Sequence, residues 1–209
     1  TLVWLLDLLA RFDGNPQMTG AELDALLSLP RQDDPVLFLP YLQGERVPYW
    51  DPSLRGAFLG LNRRHGPGDL AWAVLEGIAL LNRVVLERAE AATGSRISEL
   101  RFGGGGAANE HWRQVKADVL DRTIACVAGE EHGIMGAAIV AWTALARFAN
   151  LEQAQDALVR IEKRYLPRPE KRAGHDRLYR LFGEAEQALN PVSRQLAGWQ
   201  QDSEGAADA

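Results

Sequence analysis

ISELRFGGGGAANEHWRQVKADVL, residues 97–120, is the stretch from which the architecture of this chain can be predicted. A short apolar strand pattern ends at four glycines, and a helical pattern follows them. Beyond it, TIACVA at 123–128 has strand character and IMGAAIVAWTALARF at 134–148 has helical character. Strand, glycine turn, helix, strand and helix in this order predict an α/β domain.

The glycine run, Gly103 to Gly106, is the first candidate binding element. Glycines at this place let the backbone come close to a ligand, and the free N–H groups of the next helix face the same point. These properties suit a nucleotide, although a glycine turn between strand and helix also serves tight packing alone. GGGGAAN lacks both the GxGxxG spacing of a dinucleotide fold and the terminal GK[ST] of a P-loop, so those two mechanisms are disfavoured.

The chain before this unit changes in character along its length. Residues 1–12 and 20–29 read as two short helices, with residues 13–16, DGNP, as the break between them. Residues 36–62 are aromatic and rich in Pro and Gly, which predicts short strands and ordered loops. Binding residues are often found in such loops.

A long helix is predicted from Asp69 to about Ala92, with Asp69 as its N-cap. Its apolar residues recur at helical spacing and form one stripe: Leu70, Val74, Ile78, Leu81 and Val85.

The chain after Asn150 is highly polar. Two further helices are predicted, at about 151–164 and 170–196. The second keeps an apolar stripe that must pack against the domain or a second subunit: Leu178, Leu181, Phe182, Ala185 and Leu189. The expected organisation is one domain over residues 1–198 and a disordered tail at 199–209.

Composition excludes several classes of function. The chain has 209 residues, 46% of them hydrophobic, and a formal net charge of −5, which argues against a nucleic-acid partner. Cys126 is the only cysteine, so a reducing compartment, the cytoplasm, is predicted. The apolar opening is interrupted by Asp7 and Arg11, so it reads as an amphipathic helix and neither export nor a membrane anchor is expected.

Two ordered blocks carry a resemblance to a known family. GGGGAANEHWRQVKADVL resembles the adenosine segment of FGGY carbohydrate kinases, and GAFLGLNRRHGPGDLAWAVLE resembles the family signature. The matching residues of the first block are Gly104, Gly105, Gly106, Ala107, Asn109, Trp112, Gln114, Ala117 and Asp118. Those of the second are Gly56, Phe58, Gly60, Leu61, Asp69, Leu70, Ala73 and Glu76.

Two more blocks agree with this resemblance. FLPYLQGERVPYWDPSLRG is similar to the run that precedes the signature, especially in xylulokinases and gluconokinases, and EEHGIMGAAIVA resembles the Gly-Ala-Ala helix that closes the nucleotide cleft. The chain is therefore identified as a member of the FGGY family, with four blocks over residues 36–142.

The resemblance implies a fold and an activity. The fold is an actin-like ATPase (ribonuclease H-like) lobe with additional C-terminal helices, and the activity is ATP-dependent, Mg²⁺-assisted phosphorylation of a sugar hydroxyl. Gly104, Gly105, Gly106 and Ala107 are expected to pass under the adenosine. Asn109 is expected at the adenine edge, and Gly136 and Ala137 in the same cleft.

The resemblance also implies that some functional parts lie elsewhere. The family's catalytic Asp and its Gly-Thr-Ser phosphate hairpin are both expected before Thr1. We therefore expect no catalytic residue in this chain, no activity from it alone, and an N-terminal kinase lobe as partner. A homodimer is a further expectation, and no metal site formed by protein ligands is expected.

The substrate and the function class have alternatives. A ketopentose such as D-xylulose is the favoured substrate class, with gluconate or another polyol as alternatives. A non-catalytic nucleotide-binding or assembly module with an actin-like fold is the competing function. A scaffold with a purely structural glycine turn is the third hypothesis.

Several other residues are interpreted as structural. Asp51 is a turn former beside a proline, and Glu45 and Arg46 fit either a ligand contact or a buried ion pair. Trp112 and Trp142 are predicted core residues. The histidines show no metal-ligand spacing and are predicted in loops or at the surface: His65, His111, His132 and His175.

Overall fold

The computed structural model describes residues 1–13, 20–129 and 131–207. Its helices and strands follow one another as α1 (Leu2–Asp13), α2 (Gly20–Leu27), β1 (Leu37–Leu39), β2 (Ala57–Leu59), α3 (Pro67–Thr93), β3 (Glu99–Phe102), a 3-10 turn (Gly105–Ala108), α4 (Glu110–Leu120), β4 (Thr123–Val127), α5 (His132–Ala144), α6 (Leu151–Leu158), β5 (Ile161–Tyr165) and α7 (Pro169–Ala207). The predicted break at 13–16 falls mostly outside the described residues, since Asp13 ends α1.

The strands form two small sheets. β1 and β2 pair antiparallel, with Leu37 opposite Leu59. The second sheet has the order β3-β4-β5, with β3 parallel and β5 antiparallel to β4. The strand-turn-helix unit predicted around the glycine run is therefore present, and it places the glycine turn at the carboxyl end of β3.

Helix α3 runs through the main core. It packs against α1, α2 and β1 and also against α4 and α7, so it is buried on more than one side. Of the predicted stripe, only Val74 and Leu81 are fully buried, whereas Ala71 and Leu75, outside the stripe, are also buried. The prediction of one apolar stripe is wrong because α3 packs against other elements on more than one side.

The predicted N-cap of α3 is wrong by three residues. Gly66 is the N-cap and Pro67 opens the helix. Asp69 lies in the first turn, where its carboxylate accepts hydrogen bonds from the Gly66 N–H at 2.9 Å and the Gln32 N–H at 3.0 Å. The fixed φ of proline suits the first helical position, which moves the helix start upstream.

Strand β5 corrects the prediction of a helix at 151–164. The helix ends at Leu158, and Ile161–Tyr165 pairs with β4, Ile124 lying opposite Tyr165. The second edge of β4 offers backbone hydrogen bonds to this segment, and tertiary pairing of this kind overrides local helix propensity.

Helix α7 lies against the domain itself. Leu178 and Phe182 are buried in the main core, whereas Leu181 is 43% exposed. The helix continues to Ala207, into the segment 199–209 for which a disordered tail is predicted, and residues 208–209 lie outside the description. None of the described helices is long and apolar enough to cross a membrane.

A second, smaller core joins the main sheet to α3 and α4. It includes Leu86, Leu120, Ile124 and Cys126. Cys126 is a free, buried cysteine on β4, and burial raises the pKa of its thiol.

Candidate nucleotide-binding site

The glycine turn joins β3 to α4 through a backbone that glycine alone adopts with ease. Gly104 has φ 89° and ψ 178°, a conformation that strains residues with a Cβ. The Ala107 N–H then donates to the Gly104 carbonyl at 2.8 Å, which closes a single 3-10 turn. The local geometry therefore requires glycine at the first position of this run, Gly104.

The turn is packed at its two ends and open in its middle. A Cβ added at Gly103 would lie 2.6 Å from the His132 ring, and one at Gly106 would lie 3.0 Å from the Trp112 ring. A Cβ added at Gly104 or Gly105 would meet no atom within 4 Å. The middle of the turn is therefore exposed backbone that a flat ligand can approach.

Asn109 is the N-cap of α4. Its Oδ1 accepts from the Trp112 N–H at 2.8 Å, and its Nδ2 donates to Asp24 Oδ1 of α2 at 2.5 Å. Both ends of the amide are therefore used within the protein, and α2 is held beside the start of α4. Contact with an adenine edge would have to compete with the bond to Asp24.

His132 connects the start of α5 to the glycine turn. The Gly104 N–H donates to His132 Nδ1 at 3.1 Å, and His132 Nε2 lies 3.3 Å from the Val127 carbonyl, to which it donates in the matching tautomer. Gly136 lies one helical turn after His132, and Gly136 and Ala137 are both exposed. A contact of this pair with nucleotide stays a prediction.

Helix α5 exposes much of its apolar surface. No Asp, Glu, Lys or Arg occurs between His132 and Ala144, yet Ile139 is the one fully buried residue of the helix. Ile134 is 67% and Trp142 43% exposed, so the prediction of Trp142 as a core residue is wrong for this chain. Trp112 is half-buried and packs against the main core.

Glu76 and Asp118, two carboxylates that match the family pattern, are each bonded to an arginine of the same chain. Glu76 accepts from Arg31 at 2.8 and 2.5 Å and lies 3.6 Å from His175. Burial raises the pKa of Glu76, but His175 and Arg31 outweigh that effect, so the pKa is below its ordinary value. His175 is buried in α7, which corrects its prediction as a loop or surface residue.

Asp118 fastens α4 to the start of α7. Its side chain is fully buried and accepts from the Arg168 N–H at 2.8 Å and from the Arg168 guanidinium at 3.0 and 2.6 Å. Gln114 Nε2 donates to the same carboxylate at 3.0 Å. Glu76 and Asp118 therefore both hold separate parts of the fold together.

The loop at 45–53 contains the other candidates. Asp51 Oδ1 accepts from the Ser53 N–H at 2.9 Å, as a turn former does, and Arg194 Nε donates to Oδ2 at 2.9 Å. These bonds, that of Ser53 first, lower the pKa of Asp51. Glu45 accepts from the N–H groups of Arg46 and Val47, and no ion pair between Glu45 and Arg46 is found in the described structure.

No group of three or more His, Cys, Asp or Glu side chains that could hold a metal occurs in the described ranges.

Lys116 is a buried charged residue that the sequence analysis does not predict. It lies one helical turn after Trp112 and is almost fully buried. Its position between the apolar residues Val115 and Ala117 was the available signal.

Comparison with known proteins adds a family to this geometry. Residues 1–145 match the model of the FGGY family of carbohydrate kinases, C-terminal domain. The xylulose kinase of Escherichia coli (strain K12) is 34% identical over 189 residues, which are 86% of this chain and 38% of that protein. The glycerol kinase of Thermococcus gammatolerans is 36% identical over 148 residues, which are 71% of this chain and 29% of that protein.

A solved structure extends the similarity to three dimensions. The xylulose kinase from Rhodospirillum rubrum superposes with a TM-score of 0.75 at 32% identity, over 92% of this chain and 38% of that one. The present chain thus spans about a third of the length of the curated relatives it matches.

Proposed function

Because the chain belongs to the FGGY family of carbohydrate kinases, we propose that it supplies the ATP-binding lobe of an enzyme that phosphorylates a sugar hydroxyl. The family prediction and the prediction of an actin-like α/β lobe with added C-terminal helices are both confirmed. The observation that carries the proposed activity is the exposed middle of the glycine turn, at Gly104 and Gly105, directly before the N-terminus of α4.

In this proposal the residues of the chain bind and orient the nucleotide. The adenosine lies on the backbone from Gly104 to Ala107, where any side chain at the first two positions would occupy its place. The bond from the Gly104 N–H to His132 holds the turn in shape, and the start of α4 favours negative charge. Bound ATP supplies the phosphoryl group, with Mg²⁺ held by its phosphates rather than by this chain.

A partner lobe completes the site in this proposal. The sugar and the base that accepts the proton of its hydroxyl are assigned to the N-terminal lobe, and no described residue is assigned as catalytic. The apolar surface of α5 supports such a partner, because a helix that is apolar on all sides is normally buried. The homodimer and the cytoplasmic location stay predictions.

The favoured substrate is a ketopentose such as D-xylulose. Support comes from the similarity to xylulose kinases in sequence and in structure. The similarity to a glycerol kinase, and the resemblance of residues 38–56 to a run found in gluconokinases, keep polyols and gluconate open as acceptors.

Gly105→Val is expected to weaken ATP binding by about tenfold or more, a loss of at least ~1.4 kcal/mol. The added side chain would enter the space proposed for adenosine, whereas its Cβ meets no protein atom within 4 Å, so we expect the fold to be unaffected. Calorimetry with ATP and thermal unfolding of the same samples measure both effects. Asn109→Ala is less suitable, because it also removes the N-cap of α4, worth about 1 kcal/mol.

Gly174→Val is the matched control, because Gly174 is exposed on α7 and an added Cβ there meets no atom of another part of the protein within 4 Å; it should bind ATP as the unchanged chain does. Equal ATP affinity of Gly105→Val and the unchanged chain would contradict the site. Binding of ATP without sugar phosphorylation after an N-terminal lobe is added would favour the non-catalytic module.

A further inference from the structure

A groove of about 600 Å³ runs along α4, with α3 and the loop after α2 on one side and β5 and the start of α7 on the other. Its lining contains no residue of the glycine turn at 103–108, so the groove is distinct from the candidate nucleotide site. Small-molecule sites in proteins have volumes of about 300 to 1,000 Å³. The groove is therefore large enough for a ligand, and its side chains decide which one.

Part of the lining is aromatic and apolar. The rings of Trp72 and His111 meet edge to face with their centroids 5.5 Å apart, and the lining also includes Leu27, Leu29 and Val115. Surfaces of this kind pack against the carbon atoms of a ligand. No hydrogen bond of the His111 ring is found in the described part of the chain, so its nitrogens are available to a ligand hydroxyl.

The charged residues of the lining are four cations and three carboxylates. Each carboxylate is paired with one of the cations, and the pairs with their N–O distances are Glu76–Arg31 (2.5 Å), Glu110–Lys163 (2.6 Å) and Asp118–Arg168 (2.6 Å). Lys171 is the fourth cation, and among the described residues it has no ion-pair partner. The net charge of the lining is thus +1, and protonation of His111 or His175 would only increase it.

The polar groups that stay unused in the described structure are mainly cationic donors. They are the ammonium of Lys171, Nη1 of Arg168 and Nε of Arg31, since the other guanidinium nitrogens donate to carboxylates. The unused acceptors are Oε1 of Gln114, whose Nε2 is the bonded atom, and Oε2 of Glu110, whose Oε1 is the bonded atom. The cationic donors suit an anion, and the acceptors suit hydroxyl groups.

We propose that this groove binds a phosphate monoester of a small hydroxylated molecule. The phosphate lies against Lys171 and Arg168, hydroxyl groups bond to Gln114 and Glu110, and the carbon skeleton packs on Trp72. A phosphate monoester carries nearly two negative charges at pH 7 and three acceptor oxygens, which match the point charge of lysine and the planar donors of arginine. A carboxylate has one charge and two oxygens, so it would leave more of these donors unused.

NMR titration of the ¹⁵N-labelled 209-residue chain without nucleotide tests the groove. D-ribose 5-phosphate is expected to shift the amides of His111, Gln114 and Lys171 and to leave those of Gly104 and Gly105 in place. It should bind about fivefold or more tighter than inorganic phosphate, malate or D-ribose, because only the ester offers both the phosphate and the hydroxyl groups.

Lys171→Met is expected to weaken the binding of ribose 5-phosphate by about fivefold or more. Lys171 is exposed and its side chain has no bond within the described ranges, so thermal unfolding should be unchanged. Arg177→Met is the matched control, because it removes one positive charge from an exposed position of the same helix outside the lining. It should bind the ester within about twofold of the unchanged chain.

The inference would be overturned by unshifted groove amides at millimolar ribose 5-phosphate, or by shifts at Gly104 and Gly105 instead. Equal affinity for inorganic phosphate or for malate would contradict it as well, and so would an equal loss in Lys171→Met and Arg177→Met. The outcome is independent of the ATP titration. A chain that binds ATP but not the ester contradicts only the groove, and the reverse result contradicts only the nucleotide site.

Discussion

Gly77→Ala is expected to lower the free energy of unfolding by about 3 kcal/mol. A Cβ at this position of α3 would overlap the carbonyl oxygen of Phe38 in β1 and lie 3.2 Å from the Phe38 Cβ. The obstructing atom belongs to the backbone of a buried strand, so no side chain can rotate away to make room. Relief requires α3 and β1 to separate in the middle of the main core.

Urea unfolding followed by circular dichroism measures this effect, and Gly174→Ala is its control. Gly174 is also inside a helix, but it is exposed and an added Cβ meets nothing within 4 Å. The same substitution there is expected to raise stability by up to about 1 kcal/mol, because alanine loses less backbone entropy than glycine on folding. Destabilisation of similar size at both positions would contradict the close approach of α3 and β1.

Local pattern is enough to predict the central unit of this fold. β3, the glycine turn, α4, β4 and α5 follow one another with short connections, and each has its own periodic or strand-like signal in the sequence. β5 escapes such reasoning because its conformation depends on the free edge of β4, more than thirty residues earlier in the chain. The burial of α3 on more than one side cannot be predicted from local sequence for the same reason, because it depends on distant parts of the chain.

The candidate site, too, can be predicted from local sequence only in part. The open backbone at Gly104 and Gly105 follows from four successive glycines between a strand and a helix. The bond of Asn109 to Asp24, across 85 residues, and that of Gly104 to His132, across 28, depend on tertiary structure that no local pattern contains. The contact of Asn109 with the adenine edge stays a prediction, whereas its bond to Asp24 of α2 cannot be predicted from local sequence.

The same limitation applies to charged residues of the family pattern. Glu76 and Asp118 match the pattern, but their structural role appears only when Arg31 and Arg168 are seen beside them, 45 and 50 residues away. The pairs bind the loop after α2 to α3 and the start of α7 to α4. A residue shared with a family is therefore not by itself a ligand contact.

Arg31→Met is expected to destabilise the protein by about 3 kcal/mol at neutral pH, because it leaves the carboxylate of Glu76 buried without its guanidinium. The Glu76 side chain is 5% exposed, and His175, 3.6 Å away, is the partner that remains. Arg64→Met is the control: it removes a guanidinium from Asp34 in an exposed pair and should cost less than about 1 kcal/mol.

The pH dependence of Arg31→Met distinguishes a lost charge pair from lost packing. Arg31 and His175 hold the pKa of Glu76 below its ordinary value against the opposing effect of burial, so the pair contributes stability above the unfolded pKa of about 4.5 and loses it as the pH falls through the lower folded pKa. Urea unfolding at several pH values between about 7 and 3 should show the difference between Arg31→Met and the unchanged chain shrinking toward acid. A difference that stays constant over this range would mean that Arg31 stabilises the loop through its hydrocarbon stem and its contact with Trp72 rather than through Glu76.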